Sequence, residues 1–326
     1  MRCRRESSGL RPVDPLRDMS AIADLIQASF SDDLDQSGYA MLREMRTMGR
    51  LGAFLWLLGA WGGGPNTALS GFVWVEEGRI VGNVTVTPSP HTPDRWIISN
   101  VAVAQEYRGR GIARGLMQAA LEMIAESGGH IATLQVRDDN SVARHIYETL
   151  GFRVVGGTAY LHNDRILPAK GSQLSDDGWH HLTSADAESI YRLARVATPL
   201  AVQAEWPVRR RHYHFGLEQH LLDQLYKLLG KVPSLRLAVR DADTVCASVI
   251  VRPNLRNVPQ VELIVHPDVR GRFEHGLIAH ALSHIHRWGG HQAVAYHPTY
   301  HPEGVAALIA AGFRVKRTLL LMAREL

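Results

Sequence analysis

"YRGRGIARGLM" (Tyr107–Met117) follows the strand-like run "IISNVAV" (residues 97–103) and opens a stretch with helical periodicity. A strand that passes through glycines directly into a helix is suited to hold an anion. The first N–H groups of a helix have no internal acceptor, and their dipoles add. Glycine also lets a charged guest reach the main chain. Gly109 and Gly111 supply that access, and Arg108 and Arg110 add positive charge. The implied guest is a pyrophosphate. The same segment can also be read as a plain strand end followed by helix packing, so the surrounding sequence has to decide.

The stretch has an echo. Arg108-Gly109-Arg110 recurs as Arg270-Gly271-Arg272, 162 residues on, and Gly151-Phe152-Arg153 recurs as Gly312-Phe313-Arg314, 161 residues on. Offsets that agree this closely mark an internal duplication. Between the copies lies "NDRILPAKGSQLSDDG" (residues 163–178), polar and broken by Pro168, Gly171 and Gly178. The expected organisation is an N-terminal domain over residues 1–162, a linker over 163–177 and a C-terminal domain over 178–326.

Local patterns give each copy an α+β character. In the first, a short strand and turn lead to a helix carrying Ile22, Leu25 and Ile26. A hairpin follows around Glu77-Gly78, then the strand before the quoted stretch. The next helix sets Ile112, Leu116, Ala119 and Met123 along one stripe. A buried strand "HIATLQV", a helix over 141–150 closed by Gly151, and a final strand "FRVVGGTAYLH" complete the copy. The fold class is α+β: two tandem domains, each a mixed, mostly antiparallel sheet flanked by helices.

Composition narrows the function. The chain has 326 residues, 45% of them apolar, enough for more than one core. A formal charge of +4 with one basic run, Arg209-Arg210-Arg211, does not indicate a nucleic-acid partner. Cys3 and Cys246 lie too far apart in sequence to suggest a zinc cage or a disulfide framework, which fits a reducing cytoplasm. The most apolar stretch, Leu51–Trp61, is about half of what a bilayer requires, so no membrane partner is expected.

"YRGRGIARGLM" matches [Gln/Arg]-x-x-Gly-x-[Gly/Ala], the signature of the GCN5-related N-acetyltransferases (GNAT), with Arg108, Gly111 and Ala113 at the marked positions. "NSVARHIYETLGF" (residues 140–152) resembles the second motif of that superfamily, Asn-x-x-Ala-x-x-x-Tyr-x-x-x-Gly-Phe. The resemblance covers the N-terminal copy and implies acetyl-CoA as co-substrate, with no metal. It implies that backbone amides of Gly109, Arg110, Gly111, Ile112 and Ala113 hold the pyrophosphate, beside Arg108. It further implies that the pantetheine arm pairs like an added strand with Val101, Ala102 and Val103, and that an N–H near Val101 polarises the thioester carbonyl. Asn140 and Ala143 would meet the arm, and Tyr147 would protonate the departing thiolate. Asn140, Ala143 and Tyr147 share one helical face; an ordinary N-cap and a partly buried aromatic are the plain alternatives for the first and last.

A primary amine must shed a proton before attack. Many superfamily members place a carboxylate on the strand before the signature, where this chain has Ser99 and Asn100. Glu44, Asp32, Asp33 and His91 are substitutes that nothing in the sequence ranks. The expected partner is a small-molecule or peptide amine, and a homodimer is left open. The rival class is a non-catalytic acyl-CoA-binding or sensing protein.

The second copy departs at each decisive place. Phe273 stands at the Gly111 position, His275 at Ala113, His301 at Asn140 and Leu308 at Tyr147. Obstruction by bulky side chains and loss of the phenol are expected to leave the fold without the chemistry. A tandem with one degenerate copy also resembles mycothiol synthase, whose active half is C-terminal. His280, His284 and His286 lack a companion carboxylate for a zinc-protease arrangement. In residues 39–66, Met41, Phe54, Trp56, Leu58 and Trp61 read for the most part as a core or dimer-interface helix, with an acceptor wall as the functional alternative.

Overall fold

The structure is a computed structural model that describes residues 8–31, 38–47, 70–90, 92, 94–167, 178–214, 216–241, 244–254 and 258–326. Phe54, Trp56, Leu58, Trp61, Asp32, Asp33, His91, Cys3 and most of the expected linker lie outside them. The chain is α+β and divides into two compact units. The first comprises Met1–Gln135, Val142–Arg153 and Ala323–Leu326; the second comprises Val136–Ser141 and Val154–Met322.

In the first unit, β1 (Gly9–Pro12), α1 (Met19–Phe30) and α2 (residues 38–47) precede the hairpin of β2 (Ser70–Glu76) and β3 (Arg79–Pro88). The hairpin turns through Glu77 and Gly78, both at positive φ (51° and 77°), the conformation that matches the twist of the flanking strands. β4 (Arg95–Val103), α3 (Ile112–Glu126), β5 (Ile131–Arg137) and α4 (Ser141–Thr149) follow, and the strand order is β1-β2-β3-β4-β5. β2 alternates buried and half-buried residues, as a strand with one covered face must. Its Val73 and Val75 meet Ile22 and Ile26 of α1 and Leu42 and Met45 of α2 in one core cluster.

Helix α3 buries Ile112, Leu116, Met117, Ala120 and Ile124, whereas Met123 is only partly covered. The helix can settle this close to the sheet because Gly82 on β3 has no side chain. A Cβ there would lie 3.0 Å from Ile112 Cγ2 and 3.0 Å from Leu116 Cδ1. Gly82→Ala should therefore destabilise the protein by about 1–3 kcal/mol through overpacking, read from urea denaturation. A wild-type midpoint would show that α3 is free to retreat.

The second unit contains β6 (Arg153–Asn163), β7 (Trp179–His181), α5 (Ala187–Ala197), α6 (Leu200–Glu205), α7 (Leu217–Leu228), β8 (Leu235–Asp241), β9 (Thr244–Arg252), β10 (Gln260–Val265), α8 (Glu274–Arg287), β11 (Ala293–Pro298), α9 (Pro302–Ala310) and β12 (Arg314–Glu325). Its strand order is β12-β6-β11-β10-β9-β8-β7. β9 is buried almost throughout, because helices cover both faces of the sheet. On one face α8 packs Leu277, Ile278, Ala281 and Ile285. On the other, α5 packs Ile190, Leu193 and Ala194.

The units do not follow the two copies seen in the sequence. β6 is the last strand of the first copy, yet it pairs antiparallel with β11 of the second, from Thr158↔Pro298 to Asn163↔Ala293. Backbone hydrogen bonding to β11 is what assigns residues 154–162 to the second unit.

Candidate active site

The turn between β4 and α3 is built around two left-handed glycines, Gly109 at φ 76° and Gly111 at φ 79°. Gly111 caps α3, and a Cβ on either glycine would meet nothing within 4 Å. The tolerance of glycine is used here for backbone shape and for an open approach. The first helical bond is Gly115 N–H to Gly111 O, at 3.0 Å. For the six preceding amides, residues 109–114, there is no acceptor among the described residues. A run of unpaired N–H groups at a helix start is an anion cradle.

Arg108 and Arg110 brace this turn as well as charging it. Arg108 Nε donates to Val103 O at 3.1 Å, and Arg110 donates to Glu106 O at 3.1 Å while lying 4.8 Å over the Tyr107 ring. Both guanidinium groups remain exposed. Beside them opens a cleft of about 1320 Å³ whose lining mixes Arg17, Arg79 and Arg108 with Asp18, Asp24 and Glu106. Ile112 offers only its main chain, since its side chain is core; Ala113 is half-buried.

β4 and β5 run parallel and pair from Arg95↔Ile131 to Ile98↔Leu134, and there the pairing stops. Ser99 to Val103 thus present a main-chain edge with no strand partner on the β5 side among the described residues. On its other side, β4 bulges: Ala102 faces Asn83 and Ser99 faces Thr85, so Asn100 and Val101 together stand against one residue, Val84. Asn100 takes φ 52° to make the bulge. The side chain of Ala102 is buried, while Val101 and Val103 are half-buried.

Ala143 and Tyr147 lie one turn apart on α4, and Asn140 immediately precedes it, exposed, with its N–H on Arg137 O at 3.2 Å. The Tyr147 ring sits edge-on to Phe152 at 6.1 Å. Burial pushes the phenol up to about 12, so it holds its proton throughout the physiological range. Its hydroxyl has no hydrogen-bond partner among the described residues. Glu44 is exposed on α2, and no carboxylate occupies the place of Ser99 and Asn100.

In the second unit the same turn is filled from within. Gly271 keeps its positive φ of 82°, but the N–H groups of Gly271 and Phe273 donate to the two carboxylate oxygens of Glu274, at 2.8 and 3.0 Å. Phe273 and His275 are the residues expected to obstruct this turn; Glu274 is in addition an internal anion seated on its amides, while Phe273 packs against the core. His301 Nε2 lies 2.9 Å from the Glu274 carboxylate, and His297 Nε2 lies 3.1 Å from His301 Nδ1. With both rings neutral every contact is satisfied: His297 donates to His301, and His301 to Glu274. β10 also pairs with β9 in unbroken register from Gln260↔Arg252 to Val265↔Ala247, so the bulge is missing, and Leu308 is buried where the phenol would be.

This buried chain makes stability depend on pH. The two amides and His301 hold Glu274 below the usual carboxylate range, and burial drives His297 down to about 3. Each group binds fewer protons folded than unfolded. Its contribution is complete above its unfolded value, near 6.5 for His297, and is lost as pH falls toward its folded value. Going from pH 6.5 to 5 should cost about 2 kcal/mol through His297, seen as a lower urea midpoint. An unchanged midpoint would mean that the ring is hydrated and free to charge.

Among the described residues no group of three or more His, Cys, Asp or Glu could hold a metal ion. His280 stacks on Trp179 at 4.8 Å and His284 Nε2 sits 3.0 Å from Pro233 O, so neither joins a cluster. No helix among the described residues is long and apolar enough to cross a membrane.

Comparison with known proteins agrees with this geometry. Residues 32–152 match the Acetyltransferase (GNAT) family. N-alpha-acetyltransferase 30 of Schizosaccharomyces pombe is 37% identical over 83 residues, 25% of this chain and 55% of that protein. Mycothiol acetyltransferase of Corynebacterium aurimucosum is 32% identical over 94 residues, 28% of each. The chain thus spans about half the length of the first relative and less of the second. Among solved structures, a GCN5-related N-acetyltransferase from Sphaerobacter thermophilus superposes with TM-score 0.61 at 17% identity, covering 97% of this chain and 95% of that one. A tandem GNAT protein from the clavulanic acid biosynthesis pathway gives 0.51 at 16% identity, covering 98% of each. Signature, cradle and relatives agree over the N-terminal copy, where residues 32–152 form a GNAT acetyltransferase domain, and the whole chain shares its fold with solved GNAT structures.

Proposed function

We propose that this protein is an acetyl-CoA-dependent N-acetyltransferase that moves an acetyl group directly from the thioester to a primary amine, with the chemistry confined to the N-terminal copy. The observation that carries this reading is the run of unpaired amides from 109 to 114, next to the open edge of β4. A diphosphate fits the cradle, with Arg108 and Arg110 supplying counter-charge. The pantetheine amides fit the edge of Val101 to Val103 that faces away from β3, where β5 no longer pairs, with Asn140 and Ala143 along the arm. In the reaction the amine nitrogen bonds to the acetyl carbon and the C–S bond breaks. The Val101 N–H stabilises the carbonyl oxygen, and Tyr147 delivers a proton to sulfur. The amine proton leaves to solvent, since no carboxylate stands on β4. A direct route suits this chain because neither motif contains a cysteine to carry the acyl group.

Relatives named as N-alpha-acetyltransferases make a peptide N-terminus the first acceptor to try. The test is thiol release from acetyl-CoA across a panel of peptides, amino acids and small amines. Release with any amine above the amine-free rate supports the enzyme. Tight CoA binding with no release across the panel would make the protein an acyl-CoA sensor instead.

A further inference from the structure

We propose that Asn83 is a positioning residue for this reaction: it clamps the bulge of β4 and so keeps the Val101 N–H directed at the thioester. The proposal rests on the function proposed above. Asn83 lies on β3 and is fully buried, between Val81, Val84 and Val86, which are buried too. Its Nδ2 donates to the main-chain carbonyl of Asn100 at 2.9 Å and reaches Thr85 Oγ1 at 3.4 Å. The side chain of Asn100 donates to the same Thr85 Oγ1 at 3.3 Å. A carbonyl only accepts, so the contact with Asn100 O fixes which way the Asn83 amide points. Two polar side chains of β3, Asn83 and Thr85, thereby hold the one residue of β4 that adopts φ 52° without being glycine.

Fold alone does not explain this arrangement. The Asn83 Oδ1 is buried with no partner among the described residues, a cost that a valine or leucine would avoid. What an apolar residue cannot do is hold the Asn100 carbonyl. The second unit provides an internal comparison. Ser248 faces Ile264, one step from the pair Ala247↔Val265, just as Asn83 faces Ala102, one step from Gly82↔Val103. Its hydroxyl has no partner among the described residues, no residue of β10 takes a positive φ, and the register runs unbroken. The copy without the clamp has no bulge.

The test compares Asn83→Leu and Asn83→Ser, the latter matching the tolerated residue of the second copy, with the double variant Asn83→Leu/Asn100→Gly. With acetyl-CoA and an accepted amine, kcat should fall roughly 10- to 100-fold in both single variants while KM for acetyl-CoA stays within about threefold, because the cradle is untouched. Glycine takes positive φ freely, so the double variant should recover most of kcat. Amide hydrogen exchange across residues 99–102 should quicken in the single variants. Wild-type kcat with unchanged exchange would overturn the proposal. So would a fall in kcat that Asn100→Gly does not relieve, since that is a general packing defect. Exchange requires no turnover, so that arm tests the clamp even if no amine is acetylated and the proposed function fails.

Discussion

Gly111→Val should raise the Kd for acetyl-CoA at least a hundredfold in titration calorimetry while leaving the protein folded. At φ 79° a branched side chain is strained, which costs about 1–3 kcal/mol and twists the run of amides that makes the cradle. A Cβ there meets no protein atom within 4 Å, so the added group clashes with nothing inside the fold. It stands instead on the open side from which a diphosphate would come. Gly128 provides a matched control, with φ 76° and equally open surroundings, at the far end of α3. Gly128→Val should carry the same strain and leave Kd within about twofold. Equal Kd values for wild type and Gly111→Val would remove the cradle from any account of cofactor binding.

Tyr147→Phe should lower kcat by about 10²- to 10⁴-fold while the Kd for acetyl-CoA changes less than twofold. The hydroxyl has no partner among the described residues and the ring keeps its edge contact with Phe152, so the melting temperature should barely move. Because burial lifts the phenol to about 12, turnover should show no alkaline loss from this group between pH 7 and 9. The raised value also favours the protonated form in the folded state. Stability from this group is therefore complete below pH 10 and declines as pH rises through 12. Unchanged kcat in the variant would leave thiolate departure to water.

The parts of the site that depend on local chain geometry were legible in the residues. Two glycines at a strand-to-helix junction were expected to leave the main chain open, and nothing lies within 4 Å of where a Cβ on either would be. The spacing of Ala143 and Tyr147 placed them on one face of α4, and Glu77-Gly78 marked the hairpin. The missing parts depend on pairing across the sheet. That Asn100 forms a bulge, and that Asn83 reaches it across 17 residues, follows from register, which a linear pattern does not carry. Asparagine on an otherwise apolar strand was the available signal, since it enters the left-handed region more easily than most residues. In the second turn Phe273 and His275 visibly break the motif, whereas Glu274 between them reads as an ordinary first-turn acid until its carboxylate is seen bent back onto two amides.

The pairing of β6 with β11 bears on how this protein can be dissected. A genetic cut at the seam between the two repeats would leave one fragment with an orphaned terminal segment and the other with a raw sheet edge open to illegitimate partners. Each half made alone should precipitate, whereas the two made together in one cell should find each other and be recovered as a nicked but soluble whole.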